Sequence, residues 1–140
     1  KATPEVLDNK VLIRYRMSLI EEEFNELKEA VNQKNFTEVI DALADLEYVI
    51  LGFYTALGID GDKAFEIVHK SNMSKLCKSE EEARSTVAYY KANIDLLGYD
   101  TPSFKKVSSD TEDFYVVYNQ STGKVLKSIK YTPANFSKLL

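Results

Sequence analysis

Two consecutive helical segments, joined by a short polar stretch, constrain the fold of this chain more than any other feature. Residues 10–31 carry apolar side chains at helical spacing, and residues 37–57 are apolar almost all round, which is typical of a buried helix. The stretch Asn32–Asn35 between them is short, and helices joined by a short loop pack antiparallel. We therefore expect an antiparallel helical hairpin as the core of the fold.

Acidic side chains lie on faces of this hairpin that should be apolar. An α-helix turns by about 100° per residue, so Glu23 and Glu26 fall inside the apolar arc of the first segment, and Glu22 lies at its edge. On the second segment, Asp41 and Asp45 lie on one narrow stripe. Asp is a poor helix former, and burying two of them is costly unless something compensates for their charge.

A bound divalent cation is the simplest compensation for these acids. Carboxylates that face one another across two helices repel strongly unless they are protonated or neutralised. Few cations lie on the same faces, since Arg14 and Arg16 come earlier on the first segment. Oxygen ligands favour Mg²⁺ or Mn²⁺, and the predicted metal ligands are Glu22, Glu23, Glu26, Asp41 and Asp45. The alternative is a set of surface acids that pair with Lys or Arg in an oligomer.

Capping and stop residues predict four helices along the first two thirds of the chain. The predicted helices cover residues 4–31 with a break near residues 7–10, residues 37–57, residues from 60 or 62 to 76, and residues 80–97. The residues that cap or end them are Thr3, Thr37, Gly58, Ser79 and Gly98.

The last third of the chain has a different character. Two β-type runs, Phe114–Tyr118 and Lys124–Ile129, flank the turn residues Asn119–Gly123 and predict a β-hairpin, whereas Thr101–Ser103 indicate a loop. The predicted fold class is all-α, with a helical core over residues 1–98 and a short C-terminal hairpin appendage over residues 99–140 of the same domain.

Charge and hydropathy argue against two classes of partner. Residues 1–100 carry 12 Lys and Arg against 19 Asp and Glu, whereas residues 101–140 carry 6 against 3. An acidic body with a basic tail argues against general nucleic-acid binding. No apolar run approaches the roughly 18 residues of a membrane span, and the chain does not begin with a signal-peptide pattern. We therefore expect neither nucleic acid nor membrane as a partner.

The single cysteine and the single histidine offer little to other active-site chemistries. Cys77 has no partner for an intrachain disulfide, which favours a reducing compartment such as the cytoplasm. We expect this thiol at the surface or at an interface, not as a nucleophile. Glu66 and His69 have the Glu-x-x-His spacing of di-iron bundles, but such sites need two of these motifs. We expect His69 to be either packed or close to the substrate.

Two acidic motifs carry a resemblance to a known superfamily. Residues Glu22–Glu26 (Glu-Glu-Phe-Asn-Glu) resemble the Glu-Glu-x-x-Glu motif of the all-α NTP pyrophosphohydrolases, which include MazG-like enzymes. Residues Asp41–Tyr48 resemble the second acidic motif, and Gly58–Asp60 the turn that follows it. One position departs from the pattern, since many members carry Glu where this chain has Ala42.

Further segments resemble one branch of this superfamily, the phosphoribosyl-ATP-pyrophosphohydrolase-like proteins. They are His69–Lys75 and Gly123–Lys127, followed by Tyr131 and Pro133. The resemblance is strong over about residues 10–76 and weaker in the C-terminal segment that includes Gly123–Lys127. It implies a MazG-like helical core and membership of the hydrolases that act on acid anhydrides.

The resemblance also implies a reaction and a set of site residues. The reaction is the Mg²⁺-dependent cleavage of a (deoxy)nucleoside triphosphate between its α and β phosphates, in control of the nucleotide pool. Glu22, Glu23 and Glu26 are the expected catalytic residues, and Glu22 is placed to orient or deprotonate the attacking water. The expected nucleotide-binding residues are Asn72, Lys75, Lys124, Lys127 and Tyr131.

Two other functions stay open at this point. One is the hydrolysis of phosphoribosyl-ATP in histidine synthesis, and the other is a non-catalytic helical binding protein on the same fold. Because four short helices make a thin bundle and the second is apolar on many sides, we expect a homodimer or a homotetramer with its sites near the interface.

Overall fold

The computed structural model describes residues 3–140, which are mostly helical with three antiparallel strands near the C-terminal end. The helices are α1 (Lys10–Asn32), α2 (Phe36–Leu57), α3 (Gly61–Met73), α4 (Glu80–Ala92) and α5 (Ile94–Leu97). The strands are β1 (Pro102–Ser108), β2 (Asp113–Asn119) and β3 (Val125–Leu126), and 3₁₀ turns cover Pro4–Asp8 and Ser137–Leu139.

The described residues form two compact units, within each of which the Cα atoms lie close together. Unit 1 comprises the described residues up to Phe65 together with Phe136–Leu140, and unit 2 comprises Glu66–Asn135. The predicted boundary between residues 98 and 99 stays a prediction. No single helix among the described residues is long and apolar enough to cross a membrane, although α2 and α3, bent by 110°, satisfy length and composition as a pair.

Unit 1 is built on the helical hairpin of α1 and α2. The predicted break before α1 is confirmed, since a 3₁₀ turn ends at Asp8 and Asn9 caps α1 by accepting a hydrogen bond from the Leu12 N–H. The predicted cap of α2 is wrong: Asn35 accepts a hydrogen bond from the Glu38 N–H at 3.2 Å, and Thr37 lies inside the helix. The predicted end at Gly58 is confirmed.

The two helices of the hairpin meet through small side chains. Ala30 on α1 is 5% exposed and Ala42 on α2 is 3% exposed. Small residues at such positions let two helix backbones approach closely, and the side chains along the same line are then held against the opposite helix. Gly58 ends α2 in the left-handed conformation, with φ of 71°, which glycine adopts without steric cost.

Unit 2 packs α4 against β1 and β2 around a small core. That core consists of Cys77, Ala83, Tyr90, Val117 and Leu126. The prediction of a cysteine at the surface or at an interface is wrong, since Cys77 is fully buried within the chain and its backbone N–H and C=O both bond to Tyr115 at 2.8 Å. Burial raises the pKa of the Cys77 thiol, which keeps it protonated and unreactive.

The predicted β-hairpin is confirmed, and a third strand extends it. β2 pairs antiparallel with β3 as predicted, but β3 covers only Val125–Leu126. β1, which pairs with the other edge of β2, includes Pro102 and Ser103, so the prediction of a loop at these residues is wrong. Pro is tolerated as the first residue of an edge strand, because its missing N–H then leaves no ladder bond unmade.

β3 ends at Leu126, and two residues later the chain contacts the start of α4. Ser128 donates a hydrogen bond at 2.9 Å to the buried carboxylate of Glu82, and its own N–H bonds to the Lys75 carbonyl at 3.0 Å. The cap of α4 by Ser79 is confirmed, since its Oγ accepts from the Glu82 N–H. The predicted helix over 80–97 is interrupted at Asn93, whose side chain donates to the Tyr89 carbonyl.

The third predicted helix is also present, with a shorter range. Of the two start residues that the sequence offers, Asp60 and Asp62, the structure selects Asp60, whose side chain accepts hydrogen bonds from the backbone N–H groups of Asp62 and Lys63. α3 ends at Met73, before the predicted end at Leu76.

Candidate metal site on the helical hairpin

Three carboxylates converge on the line where α1 and α2 meet. Glu23 and Glu26 on α1 and Asp45 on α2 each offer an oxygen, and these oxygens lie within 4.8 Å of one another. Glu23 and Asp45 are half-buried, whereas Glu26 is exposed. The spacing of three residues places both glutamates on one face of α1, and the hairpin brings Asp45 opposite them. Among residues 3–140, no other group of acidic, histidine or cysteine side chains is spaced in this way.

The three carboxylates of this cluster repel one another, and the effect is seen at Glu23. The pKa of Glu23 is raised to about 6, first by loss of solvation, then by a hydrogen bond to Glu26 that favours the protonated form, and then by the charges of Glu26, Asp45 and Glu22. The Oε2 atom of Glu23 is buried and accepts no hydrogen bond. A buried carboxylate oxygen without a partner is costly, and a hard divalent cation among three carboxylates satisfies it. The residues therefore fit such an ion.

The two remaining predicted ligands lie outside the cluster. Glu22 and Asp41 are both exposed, and neither belongs to the group of converging oxygens. Glu22 is nevertheless close enough for its charge to raise the pKa of Glu23. Ala42, the position at which this chain departs from the expected acidic motif, is buried.

The predicted nucleotide-binding residues all belong to unit 2. Lys127 and Tyr131 lie together, with the Lys127 ammonium 4.5 Å from the centre of the Tyr131 ring. Both line a groove of about 520 Å³ that is also bordered by Tyr89. Lys124 donates a hydrogen bond to the Tyr99 hydroxyl. Asn72 is exposed and Lys75 is half-buried.

His69 is exposed on α3 and lines a cleft of about 800 Å³ in unit 2. Lys70, Ser74, Lys78 and Asp113 border the same cleft. The histidine is therefore not packed in the core, and its possible place near a substrate stays a prediction.

Arg16, which the sequence does not single out as a site residue, lies on the same side of the hairpin as the acids. The Arg16 side chain lies against α2 at Gly52, where a Cβ atom would be 2.8 Å from the Arg16 Nη1. The Arg16 Nε is buried and has no hydrogen-bond partner. The available signal was a repeat of spacing, since Arg16 precedes Glu23 by seven residues and Gly52 follows Asp45 by seven.

Comparisons with known proteins point in the same direction as the cluster. The sequence profile described as phosphoribosyl-ATP pyrophosphohydrolase matches residues 1–72, which include α1, α2 and all three converging acids. An uncharacterised protein of Acanthamoeba polyphaga mimivirus is 36% identical over 121 residues, which is 86% of this chain and 47% of that protein. The chain thus spans about half the length of this relative. No solved structure matches the chain.

Proposed function

Because this chain belongs to the phosphoribosyl-ATP pyrophosphohydrolase family, within the MazG-like all-α NTP pyrophosphohydrolases, we propose that it cleaves a (deoxy)nucleoside triphosphate between the α and β phosphates. The products are a nucleoside monophosphate and pyrophosphate. The observation that supports this most is the convergence of Glu23, Glu26 and Asp45 within 4.8 Å. Cleavage of a phosphoanhydride depends mainly on neutralising and positioning charge, which a carboxylate-held cation does well.

Each acid has a distinct part in the proposed reaction. Glu23, Glu26 and Asp45 would hold Mg²⁺ or Mn²⁺, which would supply the positive charge that neutralises the phosphates. Glu22 is exposed outside the cluster but close enough for its charge to act on Glu23, and in the proposed reaction it orients or deprotonates the attacking water. Asp41, one helical turn before Asp45, is proposed to bind the ion through water.

We further propose that the basic and aromatic residues of unit 2 bind the nucleotide. Lys127 and Tyr131 share a groove in which an ammonium lies over an aromatic ring, a combination that suits a phosphate and a base. Asn72, Lys75 and Lys124 are proposed on the resemblance of their segments alone.

A second copy of the chain is the proposed partner. Five apolar side chains of α2 are between 40% and 76% exposed, and we call them the apolar stripe: Phe36, Ile40, Leu43, Ile50 and Leu51. Their spacing is that of a helix face that packs on another helix, and a groove of about 620 Å³ runs beside Leu43, Ile50 and Leu51. Pairing two stripes gives a homodimer, and pairing two dimers gives a homotetramer. A cytoplasmic location remains part of this proposal, based on the free Cys77.

The family name favours one second candidate, hydrolysis of phosphoribosyl-ATP. This substrate is a purine nucleoside triphosphate with an additional sugar, so the same cluster would serve both reactions. A non-catalytic binding role is the other alternative, and intact convergence of the three acids argues against it.

The test is release of pyrophosphate from a panel of NTPs, dNTPs and phosphoribosyl-ATP with Mg²⁺. We expect turnover by the wild type and a loss of about 100-fold or more in Glu26→Gln and Asp45→Asn, since each removes a negatively charged ligand of the ion. The matched control is Glu21→Gln, which removes an exposed acid from the same helix and should retain activity.

Two results would oppose the proposal. No pyrophosphate from any substrate would leave the binding role as the better account. Equal activity in wild type, Glu26→Gln and Asp45→Asn would show that the cluster does not take part in the reaction.

A further inference from the structure

Arg16 lies on the same face of α1 as the acidic cluster, about two helical turns before it. It lies seven residues before Glu23 on α1, and Gly52 lies seven residues after Asp45 on α2. Seven residues are close to two helical turns, so each pair shares a helix face at a separation of about 10.5 Å along the axis. The antiparallel hairpin therefore places a cation and a glycine together at one level and three carboxylates together at another.

Gly52 gives the guanidinium the space that it occupies. A Cβ atom at this position would lie 2.8 Å from the Arg16 Nη1, so the guanidinium, which is the flexible end of its side chain, would have to move away from α2. Glycine is unfavourable in the middle of a helix because it loses more conformational freedom than other residues. Close approach of the Arg16 side chain supplies a physical reason for glycine at this position of α2.

One donor of Arg16, the Nε, is buried without a hydrogen-bond partner, and the guanidinium forms no ion pair with the described residues. The described contacts of the guanidinium are with Gly52 and, at 5.7 Å, with the Tyr15 ring. Arg16 is thus not the counter-ion of the three acids, although it lies on the same line. A buried donor without a partner is costly, so the Arg16 Nε calls for an acceptor that residues 3–140 do not supply.

We propose that Arg16 is a phosphate-binding residue, which contacts a non-bridging phosphoryl oxygen of the substrate from a position set by Gly52. The inference rests on the proposed function and adds a residue to that site. The planar guanidinium suits phosphate oxygens because it offers several donors in a fixed geometry. A polyphosphate carries negative charge along its whole length, so one molecule can engage both the acid-bound cation and Arg16.

The test measures binding of inorganic triphosphate to the full chain by calorimetry, with Mg²⁺ present. Arg16→Gln should weaken binding by about 10-fold to 100-fold, which is typical for the loss of hydrogen bonds to a charged group. Gly52→Ala should also weaken binding although it removes no charge, because the added methyl group displaces the guanidinium. The matched control is Arg14→Gln, which removes an exposed Arg two residues away and should stay within about twofold of wild type.

Several outcomes would overturn the inference. The inference fails if Arg16→Gln is folded, as judged by circular dichroism, and binds triphosphate with the affinity of the wild type. An equal loss in Arg14→Gln would indicate general electrostatic attraction. Unchanged triphosphate binding together with a loss of self-association in Arg16→Gln would assign Arg16 to a carboxylate of a second copy. If Arg16→Gln does not fold, Arg16→Lys and Gly52→Ala decide the question, since binding like wild type in both would also overturn it.

The two proposals fail separately. If no nucleotide is hydrolysed but triphosphate binding depends on Arg16, the proposed function fails and the phosphate-binding role stands. If nucleotides are hydrolysed and the KM of Arg16→Gln equals that of the wild type, the proposed function stands and the role of Arg16 fails.

Discussion

Glu23 is the acid of the cluster whose charge is compensated least by the residues around it. Its buried Oε2 has no partner, and three neighbouring acids act on it. We therefore expect Glu23→Gln to raise the melting temperature in EDTA, because it removes repulsion. Mg²⁺ at about 100 times its Kd should stabilise the wild type by about 2.7 kcal/mol, or roughly 5–10 °C, and should have little effect on Glu23→Gln.

Calorimetric melting with and without Mg²⁺ checks this prediction. Glu21→Gln is the control, and it should melt and respond to Mg²⁺ like the wild type. A full Mg²⁺ response in Glu23→Gln would show that the ion binds elsewhere.

Asp100 should make stability depend on pH at the acidic end. Hydrogen bonds from Ser121 and then Asn119 lower the pKa of Asp100 below its ordinary value of 3.8. The folded state therefore favours the ionised form, so the stabilisation is present above pH 3.8 and is lost as the pH falls through the lowered pKa. Asp100→Ala should destabilise the chain at pH 6, and its difference from wild type should shrink towards pH 3.

Urea unfolding at a series of pH values measures this difference. Asp110→Ala, at an exposed position between β1 and β2, is the control and should follow the wild type throughout. A difference for Asp100→Ala that stays constant from pH 6 to pH 3 would contradict the prediction.

At the residue scale, helical spacing predicts the face on which a side chain lies, but not what it meets. The inward directions of Glu23 and Asp45 follow from about 100° per residue. Arg16 lies opposite Gly52 because of the register in which α1 packs on α2. The sequence of either helix alone does not determine this register. The sequence therefore indicates the position of Arg16 along α1 but not its neighbour Gly52 on α2.

The start of α2 offers a test at the scale of a single element. Asn35 caps this helix through its side chain, whereas Thr37, the residue that the sequence favours, lies one residue after the helix begins. Asn35→Ala should cost about 1 kcal/mol in the free energy of unfolding, as is typical for a lost cap. Thr37→Ala should cost less than about 0.5 kcal/mol, because an exposed helix position prefers Ala. Urea unfolding of both variants compares them, and a larger loss in Thr37→Ala would restore the sequence-based choice.

Elements with strong local signals were predictable, and those that depend on distant partners were not. Ser79 and Gly58 mark a helix start and a helix end through their own chemistry, so both were found. β1 exists because Pro102–Ser108 pairs with β2, and its first residues resemble a loop when taken alone. Cys77 is buried because its backbone pairs with Tyr115, a contact across nearly 40 residues of sequence that composition does not show.

At the scale of the whole molecule, the feature to explain is the set of apolar side chains that α2 leaves exposed. Apolar patches of this extent on a soluble chain usually mark an interaction surface. The all-round apolar character of α2 was evident from the sequence, and the structure shows which side α1 leaves uncovered. What the sequence of one chain does not state is the geometry of a second copy, because that depends on the complementarity of two assembled surfaces.

We expect the wild type to be a dimer or tetramer by size-exclusion chromatography with light scattering, and Leu43→Asp to shift it towards monomer. Leu43 is 51% exposed at the middle of the apolar stripe, and burying an unpaired carboxylate there in two copies opposes association strongly. Leu96→Asp changes a leucine of α5 that is 81% exposed and should leave the assembly intact. A wild type that is monomeric in solution would contradict the proposal that a second copy of the chain is the partner. Dissociation by Leu96→Asp but not by Leu43→Asp would move the interface away from α2, and the apolar stripe would then need a different occupant.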